Sequence, residues 1–169
     1  MKTLANTTVL SNFAAVSRLD LLRELLGRLY IPGELYEEVL NGLEEGYDFH
    51  NTIEAEAYPL SETGWIEVVS MDEQEVRIFR SLPRRLHHGE AACLAIAQHR
   101  HRAFLADDKL ARTTGLALGI AVSGTLGVLV LGAKRGFVTI DEGDQLLREM
   151  IGRGYRSPHP SLEPFLEGI

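Results

Sequence analysis

Ala103-Phe104-Leu105-Ala106-Asp107-Asp108-Lys109 is an apolar run closed by two acids, with a helical stretch opening at its lysine. A short apolar run bounded by polar residues reads as a buried strand, and the acids mark its turn into a helix. In a parallel sheet, functional groups stand just beyond the carboxyl ends of the strands, where helix N-termini and free backbone N–H groups converge. Asp107 and Asp108 therefore stand where charge acts. Comparable junctions lie elsewhere in the chain. Glu90 stands in HHGEAACLAIA (87–97), Glu38 in YIPGELYEEVL (30–40), and a polar turn occurs at Asn6-Thr7-Thr8. Together they predict a cluster of carboxylates that binds metal.

The rest of the chain alternates strand and helix. Leu4-Ala5 ends a first strand, and Val9 to Val16 and Leu19 to Leu26 carry apolar residues at helical spacing. Leu29-Tyr30-Ile31 reads as a second strand, and Pro32 suits the first turn of a helix over Glu34 to Leu40, which Gly42 can stop. Trp65 to Val69 reads as a third strand, Glu73 to Leu82 and Glu90 to His101 as helices, Ala103 to Ala106 as a fourth strand and Gly119 to Val122 as a fifth. Glu44 to Gly64 is acidic and poorly periodic. The alternation predicts an α/β three-layer sandwich, a four- or five-stranded mostly parallel sheet with helices on both faces. With 169 residues, 45% hydrophobic and 24% charged, the chain fits a single domain over 1–169.

Charge and composition narrow the function classes. Lys plus Arg total 17 against 24 Asp plus Glu, so the net charge of -7 provides no global field for nucleic acid, and a polyanion must meet local basic groups. The only cysteine, Cys93, lies among apolar residues, which excludes a disulfide framework and points to a reducing compartment. The opening MKTLANTT turns polar too early for a secretory leader, so the expected location is cytoplasmic. Gly115 to Ala133 carries no charge and is long enough to span a membrane. Gly119, Ser123, Gly124, Thr125 and Gly127 break it, however, into a strand, a turn and a helix that Gly136 can stop. No membrane association is expected.

The ordered motifs resemble a known family. Asn6-Thr7-Thr8 after a first strand, Ile31-Pro32 with Glu37-Glu38-Val39-Leu40, His88-Gly89-Glu90-Ala91-Ala92, Leu105-Ala106-Asp107-Asp108 and Ser123-Gly124-Thr125-Leu126-Gly127-Val128-Leu129 follow one another as in PIN domains of the toxin-related branch. The resemblance implies a metal-dependent endoribonuclease holding Mg2+ or Mn2+, a product with a 5′ phosphate, an antitoxin protein as partner, and a homodimer. It assigns the catalytic and metal positions to Asn6, Glu38, Glu90 and Asp107 or Asp108. Substrate contacts are expected from Thr7, Thr8, Arg112 and Thr125. At the first position the family ordinarily has Asp where this chain has Asn6. That departure implies weakened cleavage, or a catalytically silent module that binds RNA or protein.

The pocket also follows from chemistry. Hard divalent ions take oxygen ligands, and Mg2+ is held by one or two carboxylates, waters and substrate phosphate. Clustered acids repel one another and resist ionisation unless a cation neutralises them. Taken singly, each residue has a plainer role: Glu37 and Glu38 as a solvated helix face, Glu90 beside a helix dipole, Asp107 or Asp108 as a cap, and Thr7, Thr8 and Thr125 as caps or turn formers. The pairs His87-His88 and His99-x-His101 lack the convergent spacing zinc requires. Arg84-Arg85 and Arg100-His101-Arg102 are candidates for phosphate contact. A receiver-type regulatory domain would place its acid pair after the first strand, whereas this pair follows a late one.

Overall fold

A computed structural model describes residues 1–167. The strands are β1 (Thr3–Ala5), β2 (Leu29–Pro32), β3 (Ala57–Tyr58), β4 (Ile66–Val69), β5 (Ala103–Leu105) and β6 (Val122–Ser123). The helices are α1 (Thr7–Ala15), α2 (Leu19–Leu26), α3 (Gly33–Glu44), α4 (His50–Ala55), α5 (Glu73–Ser81), α6 (His88–His99), α7 (Lys109–Ala117), α8 (Thr125–Lys134) and α9 (Ile140–Gly152). All strand pairings are parallel, in the order β3-β4-β2-β1-β5-β6. α3, α5 and α7 pack on α6, while α1, α2, α8 and α9 pack among themselves, which gives the layered sandwich.

The strand order explains where function can sit. From β1 the sheet grows one way through β2, β4 and β3 and the other way through β5 and β6. The direction of winding reverses between β1 and β5, and a crevice opens there at the carboxyl ends of the strands. Asn6 leaves β1 and Asp107 leaves β5 at that crevice, and the Asn6 N–H donates to Leu105 O at 2.9 Å. Both strands lie in the middle of the sheet. Leu4, Ala5, Phe104 and Leu105 are buried, as apolar strands covered on both faces must be.

Several boundaries differ from the sequence expectations. The weakly periodic 44–64 stretch contains α4 and the edge strand β3, so the sheet has six strands rather than four or five. β3 is only two residues long and is defined by its pairing with β4, a tertiary effect that local propensity does not carry. Gly42 does not end α3. The helix runs on to Glu44, and a Cβ at Gly42 would collide with the His50 ring. The last strand is Val122–Ser123 rather than Gly119–Val122, because Gly119, at φ +75°, is spent on the turn that ends α7. Beyond Gly136 lies α9, which has no counterpart among the sequence expectations. Its N-terminus carries a Thr139–Glu142 capping box, and it buries Leu146, Leu147 and Met150.

The apolar 115–133 stretch is divided between the end of α7, β6 and α8, with Val128 and Leu129 in the core. Among the described residues no helix is long and apolar enough to cross a membrane.

α5 is pinned to α6 by a buried charge. Glu75 is fully buried and accepts from Arg100 Nε at 2.6 Å, Arg100 Nη2 at 2.8 Å and His99 Nδ1 at 3.1 Å, while closing a capping box with Asp72. Burial alone would raise its pKa, but the Arg100, Asp72 and His99 hydrogen bonds prevail and bring it down to about 2. A depressed carboxylate stabilises the fold above its unfolded pKa of 4.5, and that contribution is lost as pH falls toward about 2. Urea unfolding should accordingly show stability falling through this acid window. Arg100→Ala removes the guanidinium from the buried carboxylate, leaving it only the Asp72 N–H and His99, and should cost roughly 3–5 kcal/mol at neutral pH. A variant as stable as the parent would contradict this role.

Candidate metal centre

The crevice gathers side chains from four elements. Asn6 precedes α1 and caps it, its Oδ1 accepting from Thr8 N–H at 2.6 Å. The same amide donates through Nδ2 to Glu90 Oε1 at 2.8 Å, so the residue that starts α1 also ties it to α6. Glu38 lies on α3, one residue before buried Val39, and its Oε2 accepts from Thr7 Oγ1 at 3.0 Å. Asp108 caps α7, its Oδ2 accepting from Ala111 N–H at 2.9 Å.

A glycine brings the two glutamates together. A Cβ at Gly89 would collide with the Leu35 side chain and lie 2.9 Å from Glu38 Oε1. Only the missing side chain lets the first turn of α6 approach α3 so closely. Glu90 is consequently buried, with 6% of its surface exposed, and its Oε2 has no hydrogen-bond partner. Its pKa is raised, first by burial and then by the charges of Asp108 and Glu38. His87 pulls the other way through its imidazole and its backbone N–H.

Each of the three carboxylates thus spends one oxygen on structure: Glu38 on Thr7, Glu90 on Asn6 and Asp108 on Ala111. The other oxygen of each accepts no hydrogen bond among the described residues, and at Glu90 that oxygen is buried. An unpartnered buried carboxylate oxygen beside two further acids is costly unless a cation or a proton satisfies it. The donor set, all oxygen, fits Mg2+ or Mn2+.

Asp107 is arranged differently. Its Oδ1 accepts from Thr125 N–H at 2.8 Å, and its Oδ2 from Thr125 Oγ1 at 2.6 Å and Asn12 Nδ2 at 3.3 Å. The Tyr155 hydroxyl lies 3.5 Å from Oδ1. Asp107 therefore fastens the N-terminus of α8 to the end of β5, and Gly124 makes room, since a Cβ there would lie 2.5 Å from Oδ1. Of the acid pair, it is Asp108 whose charge raises the pKa of Glu90. Burial, then the Asp107 charge, pushes the Tyr155 hydroxyl up to about 12.

The remaining expected site residues fall into place around this geometry. Thr7 holds Glu38, and Thr8 is exposed at the groove beside it. Thr125 is fully buried with its hydroxyl on Asp107, inside the brace rather than at the surface. Arg112 Nη1 donates to Ala106 O at 3.0 Å and lines a cavity with Asp107. Arg100 is committed to Glu75, and Arg102 stacks over the Tyr30 ring at 4.1 Å, so neither is free to contact phosphate as the sequence suggests. Asn12 and Tyr155 are the participants that sequence reasoning does not find. Asn12 is a polar residue in the apolar run of α1, a weak signal, and Tyr155 has none.

A family model described as a PIN domain matches residues 2–169. The chain belongs to the PIN-domain family. This PIN domain accordingly has a nuclease-like fold, and Asn6 and Asp107 follow β1 and β5 at the crevice where the sheet reverses direction. No curated protein matches the chain.

Among the described residues of this PIN domain, Asp72, Glu75 and His99 have ligand atoms within 4.8 Å of one another, a closeness that Glu38, Glu90 and Asp108 do not reach. The Arg100 guanidinium already occupies both oxygens of Glu75 there, so that group is an ion-pair network and not an open metal site.

Two outcomes follow for stability. Asn6→Asp sets an oxygen where Nδ2 stands, 2.8 Å from Glu90 Oε1. Repulsion raises the pKa of the pair, so stability held at acid pH is lost as pH rises through the raised values. In EDTA at neutral pH the variant should melt below the parent, and Mn2+ should restore it. Equal melting temperatures would break the assignment. Asp107→Asn should lower stability by about 1–3 kcal/mol with or without metal, whereas Asp108→Asn should chiefly diminish the Mn2+-induced rise in melting temperature. The reverse pattern would exchange the two roles.

Proposed function

We propose that this protein is a metal-dependent endoribonuclease, the toxin member of a toxin–antitoxin pair, working as a homodimer on RNA with an antitoxin protein as its partner. The observation that carries the catalytic reading is Glu90 Oε2, buried without a partner on a carboxyl whose pKa burial and the charges of Asp108 and Glu38 raise. Those three carboxylates would hold Mg2+ or Mn2+, with Asn6 beside them. A divalent ion bound there supplies Lewis-acid chemistry, lowering the pKa of water and stabilising negative charge on phosphate oxygens.

The protein's own groups do the rest. Asn6 fixes Glu90, Thr7 fixes Glu38, and the Ala111 N–H fixes Asp108, so the free oxygens are held in place before any ligand arrives. Arg112, held against Ala106 O, presents positive charge beside the acids for a phosphate.

One observation favours a second reading, a catalytically silent PIN domain that binds RNA or protein. The Asn6 amide donates where the family's Asp would add a charge, so Glu90 is partly neutralised without a metal. At an effective dielectric near 20, unit charges about 4 Å apart interact by roughly 4 kcal/mol. Half of that is well over a tenfold effect on affinity or rate.

The test is an RNA cleavage assay in Mn2+ comparing the parent with Asn6→Asp. Cleavage and Mn2+ affinity should both rise by at least about tenfold in the variant. Equal cleavage by the two forms would remove Asn6 from the site, and no cleavage by either would leave the silent reading standing.

A further inference from the structure

Beside the acid cluster runs a groove of about 850 Å³, bounded by α1, the start of α7 and the segment that follows α9. Asp108 and Asn12 form part of its wall, and Thr8, Lys109, Arg153 and Arg156 bring polar and basic groups to it. Thr8 and the three basic residues are exposed, and none of the three cations is in an ion pair among the described residues. In a chain of net charge -7, free cations gathered along one groove are a departure that solubility does not require.

Local structure accounts for only one of them. Arg153 is the C-cap of α9, where positive charge favours the helix dipole. Lys109 is the first residue of α7, where a cation works against that dipole. Arg156 lies outside any helix. A second cavity of about 410 Å³ shares Asp107, Tyr155 and Arg156 with the groove and adds Arg112, so the positive strip continues past Asp107. Tyr155, buried against Asp107, fixes the segment carrying Arg153 and Arg156 to the end of β5.

We propose that this groove is a binding track for the phosphodiester backbone of single-stranded RNA, with Lys109, Arg153 and Arg156 as phosphate contacts that lead the strand to Glu38, Glu90 and Asp108. The inference rests on the nuclease reading for its direction, but it concerns binding alone. Phosphates match the row of unpaired cations, and Asp108 in the groove wall joins the track to the acids.

Fluorescence anisotropy with a labelled single-stranded RNA of mixed sequence, in EDTA over a series of salt concentrations, tests it on the full chain. Arg153→Ala with Arg156→Ala should weaken binding by at least about tenfold and make the slope of log K against log salt shallower by about 1.4, or about 0.7 for each phosphate that the protein no longer neutralises. Arg153→Lys with Arg156→Lys should keep the slope. Arg77→Ala with Arg80→Ala, on α5 away from the groove, should change neither, and circular dichroism melts should show every variant folded.

Unchanged affinity and slope in the double alanine variant, an equal loss in the α5 control, or no binding by the parent at low salt would each overturn the track. Displacement of the RNA by poly-glutamate at lower concentration than by unlabelled RNA would overturn it in favour of an acidic protein. Failure of the nuclease reading looks different: in Mn2+ the RNA stays intact while the groove variants still lose affinity.

Discussion

The hydrogen bond from Asn6 Nδ2 to Glu90 Oε1 joins the start of α1 to the start of α6 across the crevice. Around it stand carboxylates whose mutual repulsion works against the fold. Their positions follow from backbone constraints rather than from attraction. Asn6 and Asp108 sit where helix N-termini need capping, and Glu90 sits in the first turn of α6, which Gly89 allows to lie against α3 and Glu38. Helix ends supply the N–H groups that each acid uses for one oxygen, or a neighbour that does so. The second oxygens accept no hydrogen bond among the described residues, and the charges of Asp108 and Glu38 add to burial in raising the pKa of Glu90.

The two adjacent acids share a turn but not a task. Asp107 is surrounded by donors from α1, α8 and Tyr155 and holds the sheet's β5 end to α8. Asp108, one residue on, points its charge toward Glu90 while capping α7. Successive residues leaving a strand face opposite sides, so a pair of acids there can serve a structural brace and an open site together.

Much of this was legible in the sequence. The strand–helix alternation, the burial of Leu4, Phe104 and Leu105, and the placing of Asn6 and an acid pair at the ends of β1 and β5 follow from apolar runs with polar ends. The plainer local roles were legible too, since Asn6 and Asp108 are caps. What the sequence withheld depends on tertiary contact. β3 exists through its pairing with β4, and Gly42 continues a helix because His50 packs on it. The division between Asp107 and Asp108 requires knowing that Thr125, Asn12 and Tyr155 meet the first and not the second. The basic groups of the groove lie far apart in the chain, at Lys109 and beyond α9, and only the fold makes them neighbours.

Anomalous diffraction from crystals of the parent chain soaked in Mn2+ tests the placement of the metal most directly. A single strong peak should lie among Glu38, Glu90 and Asp108, in reach of Glu90 Oε2. A peak on Asp107 and Thr125, a peak at Asp72, Glu75 and His99, or an absence of density in the crevice at saturating Mn2+ would contradict it.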